Sequence, residues 1–218
     1  MSDNLYYNTV TPLLLSVLKQ LMEAKEFKAF RLVGGTALSL HRGHRESVDI
    51  DLFTDATYNS IDFKAIETYL RANYNYVDTS SDNIIGFGKS YFVGESAQQS
   101  IKLDLFYTDA FIYDAIVINN IRLASVEEII AMKMEVISRG GRKKDFWDLH
   151  ELANDYAAET MFLLHQKRYP YTHNKAILKN NFSQFQNADE DFDPVCLRGK
   201  HWQLIKLDLI EFVKHNNF

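Results

Sequence analysis

Hydrophobic positions recur along this chain with two different periods, and the change of period divides it. Leu14, Val17, Leu18, Leu21 and Met22 form an i, i+3, i+4, i+7 stripe, with Lys19, Glu23 and Lys25 off it. That spacing predicts a helix over 11–28, with Pro12 in its first turn. Phe30 to Val33 reads as a short strand running into Gly34-Gly35, followed by a short helix over 36–41. Arg42-Gly43-His44-Arg45 reads as a basic turn, and 47–53 as a second strand. A helical stripe returns over 62–74, with Phe63, Ile66 and Leu70 inward and Asp62 as N-cap. Alternation then takes over, predicting strands at 74–79, 84–89, 101–107 and 116–123, with turn material at 80–83 and at Gly94-Glu95-Ser96. At Ser125 the character changes again. Ser125-Val126-Glu127-Glu128 has the form of a capping box, and helical patterns follow at 126–139, 143–155, 158–168, 173–181 and 200–215. The expected organisation is an α/β part over 1–124 and a helical part over 125–218.

The second strand carries the first sign of chemistry. A strand repeats every two residues, so Asp49 and Asp51 share one side with Ser47, while Val48, Ile50 and Leu52 point to the other. In Ile101-Lys102-Leu103-Asp104-Leu105 the apolar residues again share one face and Asp104 takes the opposite one. Like charges on an apolar strand are tolerable when a divalent cation sits between them. If the two strands are neighbours, Asp49, Asp51 and Asp104 converge as hard oxygen ligands suited to Mg²⁺ or Mn²⁺. Taken alone, the Asp-x-Asp is equally a solvent-facing strand edge. It does not open a calcium loop, because Thr54 stands where that loop needs glycine.

Gly34-Gly35, between a strand and a helix, let backbone N–H groups approach a phosphate, with the hydroxyl of Thr36 or Ser39 as a further donor; a plain turn has the same form. Arg45 is placed to clamp a phosphate or to pair with an aspartate. Lys133 has Ile129, Ile130, Val136 and Ile137 as its helical neighbours. A lysine centred on an apolar stripe calls for a phosphate or buried carboxylate partner, unless its head snorkels to the surface. Asp145 and Asp148 lie three apart, hence on one helix face, and Arg139, Arg142, Lys143 and Lys144 form the strongest local basic cluster.

Composition narrows the classes. With 46% hydrophobic and 24% charged residues, 3 Pro and 9 Gly, the 218-residue chain reads as globular. The single Cys196 excludes an internal disulfide and fits a reducing cytoplasm. The first residues lack a signal-peptide pattern, and no apolar run reaches bilayer length, so no membrane partner is expected. A net charge of −5 argues against a general nucleic-acid coat but allows a local phosphate site. The seven histidines form no metal box, and there is no Walker A, GxGxxG or GxSxG pattern.

Taken together, Gly34-Gly35-Thr36-Ala37-Leu38, then His44-Arg45-x-Ser47-x-Asp49-Ile50-Asp51-Leu52-Phe53, then Lys133 with Arg139 and Lys144-Asp145-Phe146-Trp147-Asp148-Leu149, resemble the nucleotidyltransferase AbiEii/AbiGii toxin family of the DNA polymerase β-like superfamily. The resemblance covers about residues 30 to 152. It implies an α+β fold: a small mixed sheet with flanking helices and a helical C-terminal part that completes the active site. It implies transfer of a nucleotidyl group from an NTP with release of pyrophosphate. The family's glycine turn, which holds the triphosphate, falls on Gly34 and Gly35, and its metal-binding pair on Asp49 and Asp51. Its serine falls on Ser47, its helix lysine on Lys133 and its following aspartate on Asp145. Asp104 rests on the strand argument, as third ligand or as base toward the acceptor hydroxyl. The partners implied are a tRNA or protein acceptor and a cognate antitoxin. A silent nucleotide-binding module and a small-molecule nucleotidyltransferase are the alternatives.

Overall fold

The computed structural model describes residues 4–79 and 87–215. Helix α1 spans Pro12–Glu23. It starts where Thr11 accepts a hydrogen bond from the Leu14 amide, and its buried face is the stripe Leu14, Val17, Leu18, Leu21 and Met22. It is shorter than expected: Ala24 is extended, and a separate 3-10 turn covers Lys25–Phe27. Strand β1 (Arg31–Leu32) leads into α2 (Gly34–Arg42), so the glycine pair opens the helix rather than preceding it. Strand β2 covers Asp49–Thr54, and α3 covers Phe63–Asn73 behind its Asp62 cap.

Next come β3 (Tyr76–Asp78), β4 (Gly88–Ser96) and β5 (Gln99–Tyr107). The turn expected at 80–83, and residues 84–86 of the strand expected at 84–89, lie outside the described residues. Gly94-Glu95-Ser96 is no separate turn: it ends β4, where the pairing with β5 shifts register. The strand expected over 116–123 is a hairpin of β6 (Ile116–Ile118) and β7 (Ile121–Leu123). Its turn residues Asn119 and Asn120 both have positive φ, which a two-residue hairpin requires and asparagine tolerates.

Ser125 caps α4 (Val126–Ser138) by accepting from the Glu128 amide. After it come α5 (Lys143–Leu152), α6 (Ala158–Arg168), α7 (Lys175–Asn181), α8 (Gln186–Asp189) and α9 (Trp202–His215). The sequence pattern did not reveal α8, which is only four residues long.

The sheet is mixed, in the order β3-β4-β5-β2-β1-β7-β6. Strand β2 pairs parallel with β5 and antiparallel with β1, and β1 pairs parallel with β7. Ile50, Leu52, Leu103 and Leu105 are fully buried on the face away from the aspartates. Val48, expected in the core, is 61% exposed, because β2 pairing begins one residue later. The helical part joins the same core through α4 and α5 against α2, and α9 packs on α5. Trp147 of α5 stacks on Trp202 of α9, with Phe146 and Phe185 against the same ring. Among the described residues, no helix is long and apolar enough to cross a membrane.

Candidate active site

The site is built at the open end of β2. Gly34 begins α2 with φ +67°, a left-handed conformation that favours glycine. A Cβ there would stand 2.7 Å from Asp51 Oδ2, and one on Gly35 would stand 2.5 Å from an Arg45 guanidinium nitrogen. Both glycines are therefore needed for close approach: one admits a carboxylate, the other an arginine that cannot swing away. Arg45 is held by Asp148, donating from Nε at 2.7 Å and from Nη2 at 2.9 Å.

Thr36 and Ser47 share a buried hydrogen bond of 2.8 Å, and Thr36 Oγ1 also donates to the Asp49 carbonyl. The two hydroxyls form a clasp that joins the first turn of α2 to the start of β2. Ser39 Oγ is buried without a hydrogen-bond partner among the described residues.

Asp51 and Asp104 face each other in register across the parallel β2–β5 pair. Burial, followed by the negative charges of Asp104 and Asp49, pushes the Asp51 carboxyl up to about 6, against the opposing pull of Lys133 and Lys144. Asp104 pairs through Oδ2 with Lys102, two positions back on the same face, while its Oδ1 is buried with no hydrogen-bond partner among the described residues. A crowded carboxylate and an orphaned carboxylate oxygen on adjacent strands fit a divalent cation with oxygen ligands. Among the described residues, no group of three or more Asp, Glu, His or Cys side chains is arranged to hold a metal ion, so the expected convergence of Asp49, Asp51 and Asp104 is seen only as the Asp51–Asp104 pairing.

The helical part supplies cations. Lys133 is buried, donates to Asp145 Oδ1 at 2.6 Å and lies 2.7 Å from Asp148 Oδ2. A buried carboxylate pair is thus the partner its apolar neighbours demanded, and the ammonium does not snorkel. Asp148 is the hub: fully buried, it holds Lys133, Arg45 and His44, whose Nε2 lies 2.8 Å from Oδ1. Burial opposes its charge, yet Arg45 and Lys133 hold its carboxyl well below the usual range. Asp145 is lowered too: burial again opposes the charged form, and Lys133 outweighs it.

Lys144 lies 3.9 Å from Asp49 Oδ2. Burial and then the neighbouring Arg142 charge lower its pKa. Neither Lys144 nor Asp148 was singled out as a site residue from the sequence. The readable signal for Asp148 was its i, i+3 spacing from Asp145 on a helix following a stranded lysine.

The nucleotidyl transferase AbiEii toxin family model, described as a type IV toxin–antitoxin system, matches residues 16–218. The chain belongs to this family. It is a nucleotidyltransferase of the AbiEii toxin type. An uncharacterized protein of Aquifex aeolicus is 28% identical over 176 residues, 74% of this chain and 76% of that one. JHP933 from Helicobacter pylori shares the fold at a TM-score of 0.61 and 21% identity, covering 93% of this chain and 88% of its own. MenT4, a nucleotidyltransferase toxin from Mycobacterium tuberculosis, does so at 0.60 and 14% identity, covering 91% and 80%. The AbiEii fold accounts for the mixed sheet and for the helices packed beside it.

Proposed function

We propose that this chain transfers a nucleoside monophosphate from an NTP to an acceptor hydroxyl, on a tRNA 3′ end or a protein, as the cytoplasmic toxin of a pair with a cognate antitoxin. The observation that carries the reading is Asp51 opposite Asp104, with Gly34 pressed against the Asp51 carboxylate.

Asp49 and Asp51, with Asp104 as third ligand or as base, would hold Mg²⁺ or Mn²⁺, which would activate the attacking hydroxyl and neutralise charge on the leaving pyrophosphate. The amides opening α2 at Gly34 and Gly35 would hold the triphosphate, since a helix N-terminus presents unpaired N–H groups to anions. Of the two clasped hydroxyls, Ser47 is less enclosed than Thr36 and is the one able to turn toward a phosphate. Thr36 positions the Asp49 backbone. Arg45, held by Asp148 against Gly35, adds positive potential beneath the glycine turn. Lys133, oriented by Asp145, would offset charge on the transferring group.

The acceptor oxygen would form a bond to the α-phosphorus as the bond to the β-phosphate oxygen breaks and pyrophosphate leaves. Asp104, whose Oδ1 lacks a hydrogen-bond partner among the described residues, would take the hydroxyl proton where it does not serve as third ligand. The division into a 1–124 core and a 125–218 helical part is functional in this reading, because Lys133, Lys144, Asp145 and Asp148 come from the second part.

The test is incubation with each α-labelled NTP, Mg²⁺ and separate pools of tRNA, protein and small metabolites, with Asp49→Ala as control. Label on a macromolecule that disappears in the variant supports the proposal. Label on a metabolite redirects it to small-molecule chemistry. Nucleotide binding without label or pyrophosphate would sink it in favour of a binding module.

A further inference from the structure

Beside Asp49 lies a cavity of about 250 Å³ lined by Arg142, Lys144, Asp191, Phe192 and Pro194. Phe192 is 98% exposed, so its ring face is open to a ligand, and it sits on a segment held from two directions. On one flank, the Lys143 amide donates to Asp191 Oδ2 at 2.9 Å, and Lys143 Nζ donates to the Asp191 carbonyl and to Asp193 Oδ1. On the other flank, the Glu46 amide donates to the Val195 carbonyl, the Leu197 amide donates to the His44 carbonyl, and Arg45 forms a β-bridge with Cys196. The segment that displays Phe192 is thus tied both to the start of α5 and to the turn leading into the aspartate strand.

Charge in the cavity is uneven. Asp191 and Asp193 are both taken up by Lys143. Arg142 stands 3.6 Å from Asp145, a carboxylate Lys133 already holds, and its side chain remains 64% exposed. Lys144 makes no hydrogen bond among the described residues, and Asp49 at 3.9 Å is its nearest acid. An exposed aromatic face next to two incompletely paired cations is the combination that recognises a nucleotide: the ring stacks on the base while the cations hold the phosphate.

We propose that Phe192 is the stacking face for a nucleobase whose phosphate is held by Arg142 and Lys144, making this cavity a nucleotide subsite beside Asp49. The proposal rests on the nucleotidyl-transfer reading and adds a specificity determinant to it. The base belongs either to the NTP or to the terminal nucleotide of an RNA acceptor. Because the segment is already clamped, little ordering is needed on binding.

The test uses the full chain with Phe192→Ala and Phe192→Trp. Titrate each of ATP, CTP, GTP and UTP with Mg²⁺ in one arm, and a single-stranded RNA oligonucleotide in the other. Phe192→Ala is expected to keep the wild-type melting temperature and to weaken one arm by about tenfold, the loss of one base stack. Phe192→Trp is expected to retain affinity and to show fluorescence quenched by the same ligand. Loss in the NTP arm assigns the base to the donor, and loss in the RNA arm assigns it to the acceptor. If the wild-type chain binds nucleotide and labels an acceptor while both variants behave like it in both arms, the subsite is overturned and the nucleotidyl-transfer reading stands. If the wild-type chain binds none of the NTPs or RNA, that reading fails, and the subsite with it.

Discussion

Asp148 and Arg45, 103 residues apart in the chain, meet through two hydrogen bonds in a site from which solvent is excluded. Lys133 closes on the same carboxylate from α4, so one aspartate locks the basic turn before β2 to two helices of the second half. Removing one partner of a buried ion pair leaves an uncompensated charge and costs roughly 3–5 kcal/mol. Asp148→Asn should therefore lower the urea unfolding free energy by about that amount. Arg45→Met combined with Asp148→Leu should cost less than the two single changes added. Additivity in this double-mutant cycle would show that the pair is not coupled.

The Asp51 carboxyl, raised to about 6, binds its proton more tightly in the fold than in the unfolded chain. Its contribution to stability is then fully present below about pH 4 and lost as pH rises through about 6. Because its edge still meets water, we expect the loss to be about 2 kcal/mol rather than the full value of the shift. Without divalent metal, thermal unfolding should show this decline, and Asp51→Asn should flatten it. Adding Mg²⁺ should raise the melting temperature above pH 6 far more than at pH 4, because proton and cation compete for the same oxygens. Equal Mg²⁺ effects at both pH values would remove Asp51 from the ligand set.

Gly34→Ala forces an L side chain into φ +67° and against Asp51 Oδ2. The backbone cost is about 1–2 kcal/mol. Displacement of the carboxylate should reduce nucleotidyl transfer by about 10²-fold, as expected for a reacting group moved by an ångström or so. Gly43 is also left-handed, at φ 65°, but it lies at the far end of α2 with Tyr6 as its neighbour. Gly43→Ala should cost stability while sparing the transfer rate per folded molecule, which assays corrected for folded fraction will separate.

Thr36→Val removes the clasp and leaves the Ser47 hydroxyl and the Asp49 carbonyl without their partner. A loss of about 1–3 kcal/mol is expected. Thr36→Ser should recover most of it, since the hydroxyl rather than the methyl is at issue. A larger loss in Thr36→Ser than in Thr36→Val, read from denaturant midpoints, would mean that packing and not the clasp sets the cost.

Much of the local structure was legible in the chain. The α1 stripe, the Asp62 and Ser125 caps and the alternation of β5 all appear where spacing placed them. Errors fell where a short-range rule met a tertiary constraint. The expected strand over 116–123 hid a hairpin, because two asparagines can serve as a turn without glycine. Val48 has the parity of a core residue but lies outside the ladder that would bury it. The Asp145–Asp148 spacing was visible, but not that Asp148 would be the carboxylate shared by Lys133, Arg45 and His44.

The sequence by itself determined which residues share a face: Asp49 with Asp51, Ile50 with Leu52, Lys133 among isoleucines. Those relations follow from the periods of strand and helix and need no partner. Only the tertiary structure decided which strands are neighbours, that Asp51 stands against Asp104, and that the segment carrying Phe192 returns to pair with His44–Glu46. Strand order and the docking of a distant segment depend on contacts between residues far apart in the chain. No local period encodes them, and the candidate site is assembled from such contacts.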